Sequence, residues 1–311
     1  RFISKGASAA DVATTQLPAK WDAETDVLVA GSGIAGMSAA ISALDKGAKV
    51  LVMEKGKNYG GCAIINGGII ALGGGTRTQK EHGVEDSPEK LYKKLTNPAH
   101  HEYRKNTPEL VKKYSEWCPG TQVWLEEHGV KFLPTFTRPG KYDSQHHESY
   151  HHIWWKDSGE GGRKPQPTGG FMTGRGIMMP YYEYFTGKGG QIFLEHKVVD
   201  VYVNDQGAVV GAKVQKPDGS IMNVKANKGV VLAGGSWKAN PELRRLTDPR
   251  FTENMISTGY PFVAPDGSAI LAGMRAGGMY VGDRCEDTPH LRRKFGTAHY
   301  GLPKGSKYGA P

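Results

Sequence analysis

The chain has 311 residues, of which 38% are hydrophobic, and a formal net charge of +9. It is long enough for one large or two modest domains. No apolar run approaches the roughly 20 residues that a transmembrane helix needs, so we expect no membrane span. The basic residues are dispersed and no nucleic-acid motif accompanies them, so we expect no nucleic-acid partner.

The chain starts with Arg1 to Gly6, which resembles the end of a twin-arginine export motif. A signal peptide would continue with an apolar stretch of about 7 to 15 residues, whereas the segment that follows here is polar. We therefore expect a cytoplasmic protein, with export as the alternative. Cys62, Cys118 and Cys285 show no C-x-x-C spacing, which argues against a disulfide scaffold, an iron–sulfur site or a zinc module.

Residues 26 to 54 read in order as an apolar strand, a glycine-rich turn, an amphipathic helix, a second apolar strand and an acid. Gly31 permits the tight turn, Gly33 lets a pyrophosphate approach the backbone, and Gly36 lets the helix lie close on the strand. The helix N-terminus favours a diphosphate. Glu54 stands where a carboxylate accepts hydrogen bonds from an adenosine ribose and disfavours a 2′-phosphate. This segment predicts a dinucleotide site that disfavours NADP.

A second series of small residues follows Lys55 directly. A plain NAD domain would usually continue with another helix. Small residues instead let backbone N–H groups approach a bulky, flat cofactor, which favours FAD. A flexible surface loop is the alternative interpretation. The series comprises Gly60-Gly61-Cys62-Ala63, Asn66-Gly67-Gly68 and Gly73-Gly74-Gly75-Thr76.

The middle of the chain is predicted to be helical over residues 86–130, with candidate helices at Glu109–Trp117 and Thr121–His128. Residues 134–170 are rich in Gly, Pro, His and aromatic residues. A metal site is one interpretation of the histidines there. We favour a loop near a substrate pocket or a subunit contact, with no metal. The histidines are His146, His147, His151 and His152, with Glu148 between the two pairs.

Further along, apolar segments alternate with turns and predict a β-meander. A buried strand then returns from Gly229 and ends in the small residues Ala233-Gly234-Gly235. This is the layout of two-dinucleotide-binding flavoproteins. The predicted strands before the return are Gln191–Leu194, Val198–Val203, Gly211–Gln215 and Ile221–Val224.

With these segments the chain resembles the flavoprotein family that contains soluble fumarate reductases, succinate dehydrogenase flavoprotein subunits, urocanate reductases and 3-ketosteroid dehydrogenases. Asp266-Gly267-Ser268-Ala269-Ile270 is similar to the family's G-D-G-x-x-x-A motif, with Pro265 where the family usually has glycine. Residues 73–89 are most similar to the ketosteroid-dehydrogenase branch. The resemblance covers nearly all of residues 22–280, but only loosely between about 95 and 185.

The resemblance implies an α/β fold: a Rossmann-like FAD-binding domain of the two-dinucleotide-binding type with a β-meander, plus the start of a capping domain. Residues 1–21 would be an N-terminal extension. Residues 22–267 would form the FAD-binding domain, with a helical and loop insertion at about 86–185. Residues 268–311 would begin an incomplete substrate-capping domain or form a partner-binding tail.

The resemblance also implies a set of FAD-binding residues. Succinate dehydrogenases attach FAD through a histidine near the Gly-Gly segment, and none lies between Glu54 and Glu81, so we expect non-covalent FAD. The family often has Asn-Ser or Asn-Thr where this chain has Cys62-Ala63, so backbone donors are expected there. The predicted set is Gly31, Ser32, Gly33, Ile34, Ala35, Gly36, Glu54, Lys55, Gly60, Gly61, Cys62, Ala63, Asn66, Gly67, Gly68, Val198, Ala233, Gly234, Gly235 and Asp266.

The activity implied is a flavin-dependent oxidoreduction of a carbon–carbon bond next to a carbonyl, with hydride transfer between the substrate and flavin N5. Residues 73–89 favour an enone or ketosteroid-like substrate, and the positive charge favours a fumarate-like one. No catalytic acid or base is assigned. We find no third cofactor segment or complete cap before Pro311, so we expect a fragment or a second polypeptide that completes the flavin pocket. The alternative is a non-catalytic FAD-binding or electron-transfer subunit.

Overall fold

The computed structural model describes residues 15–97, 108–136, 150–154, 174–247, 255–257, 263–280 and 291–293. The strands are β1 (Ala23–Ala30), β2 (Val50–Met53), β3 (Ile69–Ala71), β4 (Phe132–Phe136), β5 (Tyr150–Ile153), β6 (Gln191–Phe193), β7 (Lys197–Val203), β8 (Val209–Gln215), β9 (Ile221–Leu232), β10 (Met255–Ser257) and β11 (Leu291–Arg293). The helices are α1 (Ile34–Leu44), α2 (Gly61–Ile64), α3 (Arg77–Glu81), α4 (Pro88–Leu95), α5 (Pro108–Glu127), α6 (Arg175–Gly187), α7 (Pro241–Thr247) and α8 (Ser268–Arg275).

The chain divides into two compact units, residues 1–62 with 185–311, and residues 63–184. The first unit is built on a six-stranded sheet in the order β6-β2-β1-β9-β8-β7. Strands β6, β2, β1 and β9 run parallel, whereas β8 and β7 are antiparallel to their neighbours. The predicted Rossmann-like α/β fold with a β-meander is therefore confirmed.

Both faces of the central strands are covered. Helix α1 packs on one face, where its Met37, Ala40 and Ile41 are fully buried. The other face carries Leu28, which belongs to a cluster of apolar residues from β1, β2, β7, β8 and β9. All four residues of β2 are buried. A strand buried on both faces needs a continuous apolar sequence, which is why the parallel strands could be read directly from the sequence.

Two details of the predicted meander differ from the structure. The segments predicted as separate strands at Ile221 and Gly229 form the single strand β9, which pairs with β8 on one side and β1 on the other. A register shift between Thr25 and Val27 in β1 accommodates this double pairing. Strand β6 lies at the opposite edge, beside β2, rather than in the meander.

Residues ahead of β1 lie against the meander. The ring of Trp21 meets that of Tyr202 edge-on, with the two centroids 5.2 Å apart. Thr15 donates its backbone N–H to the carbonyl oxygen of Val203 at 3.0 Å. The absence of a side chain at Gly211 leaves room for the indole, since a Cβ there would lie 2.7 Å from Trp21. The predicted domain boundaries at residues 21/22 and 267/268 stay predictions.

The second unit contains a three-stranded antiparallel sheet in the order β3-β5-β4, with helices α3, α4 and α5. The two helices predicted on either side of residue 119 form one helix, α5, with Pro119 inside it. Its buried positions continue through the proline at helical spacing, so packing overrides the local helix-breaking tendency of proline. They are Val111, Ser115, Cys118, Gln122 and Leu125.

Within the described ranges, each helix is too short or too polar to traverse a bilayer.

We predict that Leu28→Ala lowers the free energy of unfolding by about 2 to 5 kcal/mol, because it opens a cavity in the fully buried centre of the sheet. Urea unfolding would measure the loss. Ile221→Ala is the matched control, since Ile221 is 48% exposed in the same sheet and its truncation should cost less than about 1 kcal/mol. Equal losses in the two variants would contradict this description of the core.

Candidate functional site

The turn after β1 brings backbone atoms into contact that side chains would separate. Gly31 has φ +102°, and a Cβ on it would lie 2.4 Å from the carbonyl oxygen of Ala233. A Cβ on Gly36 would lie 1.9 Å from the carbonyl oxygen of Gly31. The glycines therefore allow α1 to begin directly above the ends of β1 and β9.

The N-terminus of α1 meets the requirements of an anion site. Gly33 is the N-cap residue, no side chain caps the helix, and its first turn carries no acid. A Cβ on Gly33 would meet no atom within 4 Å, so a ligand can approach this backbone closely. Uncapped N–H groups and the helix dipole favour a phosphate. The residues present therefore fit the diphosphate of a dinucleotide; Ile34 and Ala35 form the first turn.

A buried acid lies beside this turn. Glu54 follows β2 and is only 9% exposed. Its Oε2 accepts hydrogen bonds from the backbone N–H of Ser32 at 2.9 Å and from the Ser32 hydroxyl at 2.6 Å. Its Oε1 accepts one from the N–H of Gly56 at 2.7 Å. These donors compensate the cost of burying a carboxylate and fix its orientation.

The second glycine segment, which begins at Gly60, is hydrogen-bonded to the turn after β1. The N–H of Gly60 lies 3.2 Å from the carbonyl oxygen and 3.1 Å from the hydroxyl of Ser32. Gly61 has φ +52°, and a Cβ on it would lie 3.3 Å from the Cα of Gly33. Cys62 follows in α2 and is exposed. The first unit thus gathers the predicted residues from Gly31 to Cys62 around one turn.

Lys55 and Asp266 belong to an ion cluster in the same unit. Asp266 Oδ1 lies 3.1 Å from Lys55 Nζ, and its Oδ2 lies 2.8 Å from Lys197 Nζ. The N–H of Ser268 also donates to Asp266, and Lys55 Nζ donates to the carbonyl oxygen of Ala264. Burial acts to raise the pKa of Asp266, but the hydrogen bond from Lys197, the Ser268 N–H and Lys55 outweigh it and hold that pKa far below its ordinary value.

The segment after β9 lies beside the glycine turn. Ala233 donates its N–H to the carbonyl oxygen of Ala30 at 2.8 Å. Gly234 leaves space for α8, since a Cβ on it would lie 2.7 Å from the Cβ of Ala269. Gly235 has φ +80°. Val198 lies on the edge strand β7 with its side chain buried in the core and its backbone in register with Val214.

The remaining predicted contacts fall in the second unit. Gly68 has φ +68°, and its N–H donates to Asn66 Oδ1 at 2.5 Å. Its carbonyl oxygen accepts the N–H of Ile153 at 2.8 Å. A Cβ on Gly67 would meet no atom within 4 Å, whereas one on Gly174 would lie 1.9 Å from the carbonyl oxygen of Ala63. Asn66, Gly67 and Gly68 thus form a tight turn that leads directly into β3.

The histidine-rich segment is described only in part. His146 and His147 lie outside the described residues. His151 is buried in β5, and its Nε2 is 2.9 Å from the hydroxyl of Thr76. Among the residues that the structure describes, no group of three or more His, Cys, Asp or Glu side chains is placed to hold a metal ion.

Sequence reasoning missed two features of the site. It did not find Lys197, whose only local signal is a cation immediately before the predicted strand at Val198. It also named Ser32 only as part of the glycine turn, without a role for its hydroxyl. The signal for such a role is a hydrogen-bonding side chain between Gly31 and Gly33, where the position is fully buried.

The fold and the turn together define a dinucleotide-binding protein of the doubly wound class. The model of the family described as "FAD binding domain" matches residues 26–291, and the chain belongs to this family.

Named relatives come from the same superfamily. The chain is 29% identical over 273 residues to the acrylate reductase flavoprotein subunit of Shewanella woodyi, covering 85% of this chain and 49% of the relative. It is 30% identical over 243 residues to a fumarate reductase (cytochrome) of Shewanella frigidimarina. This alignment covers 78% of this chain and 38% of the relative. The chain thus spans half or less of the length of these relatives.

A solved structure shares the fold. It is the 3-ketosteroid-Δ4-(5α)-dehydrogenase from Rhodococcus jostii RHA1 in complex with 4-androstene-3,17-dione. The TM-score is 0.70 at 29% identity, and the alignment covers 88% of this chain and 57% of that chain. The resemblance to fumarate reductases and ketosteroid dehydrogenases inferred from the sequence is therefore confirmed.

We predict that Gly33→Ala separates cofactor binding from folding. The added methyl group meets no protein atom, so the free energy of unfolding should fall by about 1 kcal/mol or less, as for a changed N-cap. The methyl group would project toward the diphosphate, so the affinity for FAD should fall about tenfold or more, equivalent to about 1.4 kcal/mol. Flavin-fluorescence titration and urea unfolding would measure the two effects.

Two further variants control this experiment. Gly36→Ala should destabilise the fold strongly, because its Cβ overlaps the carbonyl oxygen of Gly31. Gly187→Ala, at the exposed end of α6 where a Cβ meets no atom within 4 Å, should change neither quantity. Wild-type FAD affinity in Gly33→Ala would contradict a diphosphate at this turn.

We predict that Asp266→Asn destabilises the protein by about 1 to 3 kcal/mol at neutral pH, because two ammonium groups lose their charged partner. The pKa of Asp266 is lower in the folded state, so its contribution is complete above the unfolded-state pKa of about 3.9 and is lost as the pH falls through the folded-state value.

The difference in stability between wild type and Asp266→Asn should therefore stay constant from pH 7 to about 5 and narrow below about 4. Urea unfolding at a series of pH values would measure it. Asp205→Asn, at an exposed position after β7, is the control and should cost less than about 0.5 kcal/mol. A difference that stays constant down to pH 2 would contradict the ionised cluster.

Proposed function

We propose that this chain holds the adenosine diphosphate half of a non-covalent FAD at the turn between β1 and α1. One observation carries the proposal: the uncapped N-terminus of α1, open in front of Gly33, lies beside the buried acid Glu54. The first offers backbone N–H groups to a diphosphate, and the second offers a carboxylate to a ribose. A carboxylate at that position repels a 2′-phosphate, which argues against NADP.

The flavin half would be served mainly by backbone. The segments Gly60–Ala63 and Asn66–Gly68 are rich in small residues, which let a flat cofactor approach the backbone, and we assign them to the flavin half on that basis. Ala233 to Gly235 and the edge strand at Val198 complete the set. Non-covalent attachment is supported by the absence of histidine between Glu54 and Glu81.

The reaction proposed for the complete protein is hydrogen transfer across a carbon–carbon bond next to a carbonyl. A bound flavin supplies two-electron redox chemistry at its ring. The residues of this chain bind and orient the nucleotide through the glycine turn, Glu54 and the ion cluster of Lys55, Lys197 and Asp266. No described residue is assigned as the acid or base that moves the substrate proton.

Two substrate classes follow from the relatives. The ketosteroid dehydrogenase alignment and the similarity of residues 73–89 to that branch support an enone in an apolar cleft. The acrylate and fumarate reductases, with the net charge of +9, support a small carboxylate. We place the enone first because residues 73–89 are most similar to the ketosteroid-dehydrogenase branch.

A second polypeptide, or further chain, that completes the flavin pocket remains part of the proposal. The acrylate reductase relative is named a flavoprotein subunit, which supports both a partner chain and the alternative of an FAD-binding subunit that transfers electrons within a complex. The expected cytoplasmic location stays a prediction.

We predict that the purified protein carries FAD that heat or acid releases into solution. Reduced, anaerobic protein should then be reoxidised by 4-androstene-3,17-dione faster than by acrylate or fumarate, alone or with a co-purified partner. Glu54→Ala is the control and should lose flavin while remaining folded enough to show the wild-type circular dichroism spectrum.

The outcomes separate the possibilities. Flavin that stays attached to denatured protein would contradict non-covalent binding. Reoxidation by acrylate or fumarate alone would reassign the substrate class. Bound FAD that none of the three acceptors reoxidises, at the native mass of a complex, would favour the electron-transfer subunit.

A further inference from the structure

The hydroxyl of Ser32 lies between Glu54 and the second glycine segment, which begins at Gly60. The residue is fully buried. Its Oγ is 2.6 Å from Glu54 Oε2 and 3.1 Å from the backbone nitrogen of Gly60. Since Gly60 N–H is a donor and the carboxylate is an acceptor, the hydroxyl proton points to Glu54 and a lone pair receives Gly60. The Ser32 side chain thus links Glu54, the acid proposed to bind the ribose, to the second glycine segment at Gly60.

The hydrogen bonds on Glu54 leave its two oxygens unequal. Each carboxylate oxygen offers about two lone-pair directions. The N–H and the hydroxyl of Ser32 occupy both on Oε2, and Gly56 occupies one on Oε1. The direction that remains for a ligand is therefore on Oε1.

We propose that Ser32 is a positioning residue, which fills Oε2 of Glu54 and so presents Oε1 to a single ribose hydroxyl of the nucleotide. The proposal rests on the proposed FAD site and adds to it a mode of ribose recognition. The ligand class is an adenosine diphosphate whose ribose keeps the one hydroxyl that reaches Oε1. Without the Ser32 hydroxyl, the carboxylate loses one of its two donors on Oε2, and two of its three hydrogen bonds remain to orient it.

The test uses the full chain freed of flavin, with ADP and 2′,3′-dideoxy-ADP as probes in titration calorimetry. Ser32→Ala should weaken ADP binding about tenfold, as for a lost hydrogen bond to a charged group. It should weaken dideoxy-ADP binding less than about twofold, because that probe has no hydroxyl for Glu54 to accept. Thr25→Val is the matched control, since it removes another buried hydroxyl, one bonded to the carbonyl oxygen of Lys49, and should change neither affinity.

Equal weakening of both probes by Ser32→Ala would show that the serine acts only on the fold and would overturn the proposal. Unchanged ADP affinity would overturn it as well. Failure of wild-type protein to bind FAD or ADP at all would instead reject the proposed function, so the two failures are distinguishable.

A second measurement needs no variant, in case Ser32→Ala does not fold. If only Oε1 receives the ribose, removal of one hydroxyl should weaken binding to the level of dideoxy-ADP, and removal of the other should leave ADP affinity unchanged. Titration of wild-type protein with 2′-deoxy-ADP and 3′-deoxy-ADP tests this. Similar losses with both probes would mean that two hydroxyls are bound, and would overturn the proposal.

Discussion

The approach of α1 to the ends of β1 and β9 is the constraint on which the site depends. It requires that Gly31 and Gly36 carry no side chain, because their Cβ atoms would overlap carbonyl oxygens at 2.4 and 1.9 Å. With this approach, the amide groups of the first helical turn lie at the carboxyl edge of the parallel strands. That edge is where ligands bind in doubly wound sheets. A larger residue at either glycine would move the helix dipole away from it.

The same edge has to accommodate two carboxylates, of which Glu54 is buried and Asp266 is 31% exposed. Glu54 is stabilised by three donors from backbone and Ser32, and Asp266 by two ammonium groups and a backbone N–H. Each acid joins segments that are distant in sequence. The carboxylates therefore help to hold the strand ends, the glycine segments and the start of α8 together, and removing one donor from Glu54 leaves a buried charge with fewer hydrogen bonds.

The sequence predicted those elements whose formation depends on neighbouring residues in the chain. Strands β1 and β2 and helix α1 follow from apolar runs and glycine spacing within 29 consecutive residues. The continuity of β9 did not follow, because it depends on pairing with β8 and β1 at once. Helix α5 through Pro119 did not follow either, because its buried stripe packs against the rest of its unit. Lys197 and the hydroxyl of Ser32 were missed because their partners are set by tertiary structure, which no fixed spacing reports.

The same contrast between local sequence patterns and tertiary structure applies to the recognition of nucleotide and substrate. A diphosphate at a helix N-terminus is recognised by backbone, so such a site is expected to leave a glycine pattern that relatives share. A substrate is recognised by side chains from several segments, and these carry no common spacing. An acrylate reductase subunit and a ketosteroid dehydrogenase both show 29% identity to this chain. We expect the choice between a carboxylate and an enone to come from residues in which the two relatives differ.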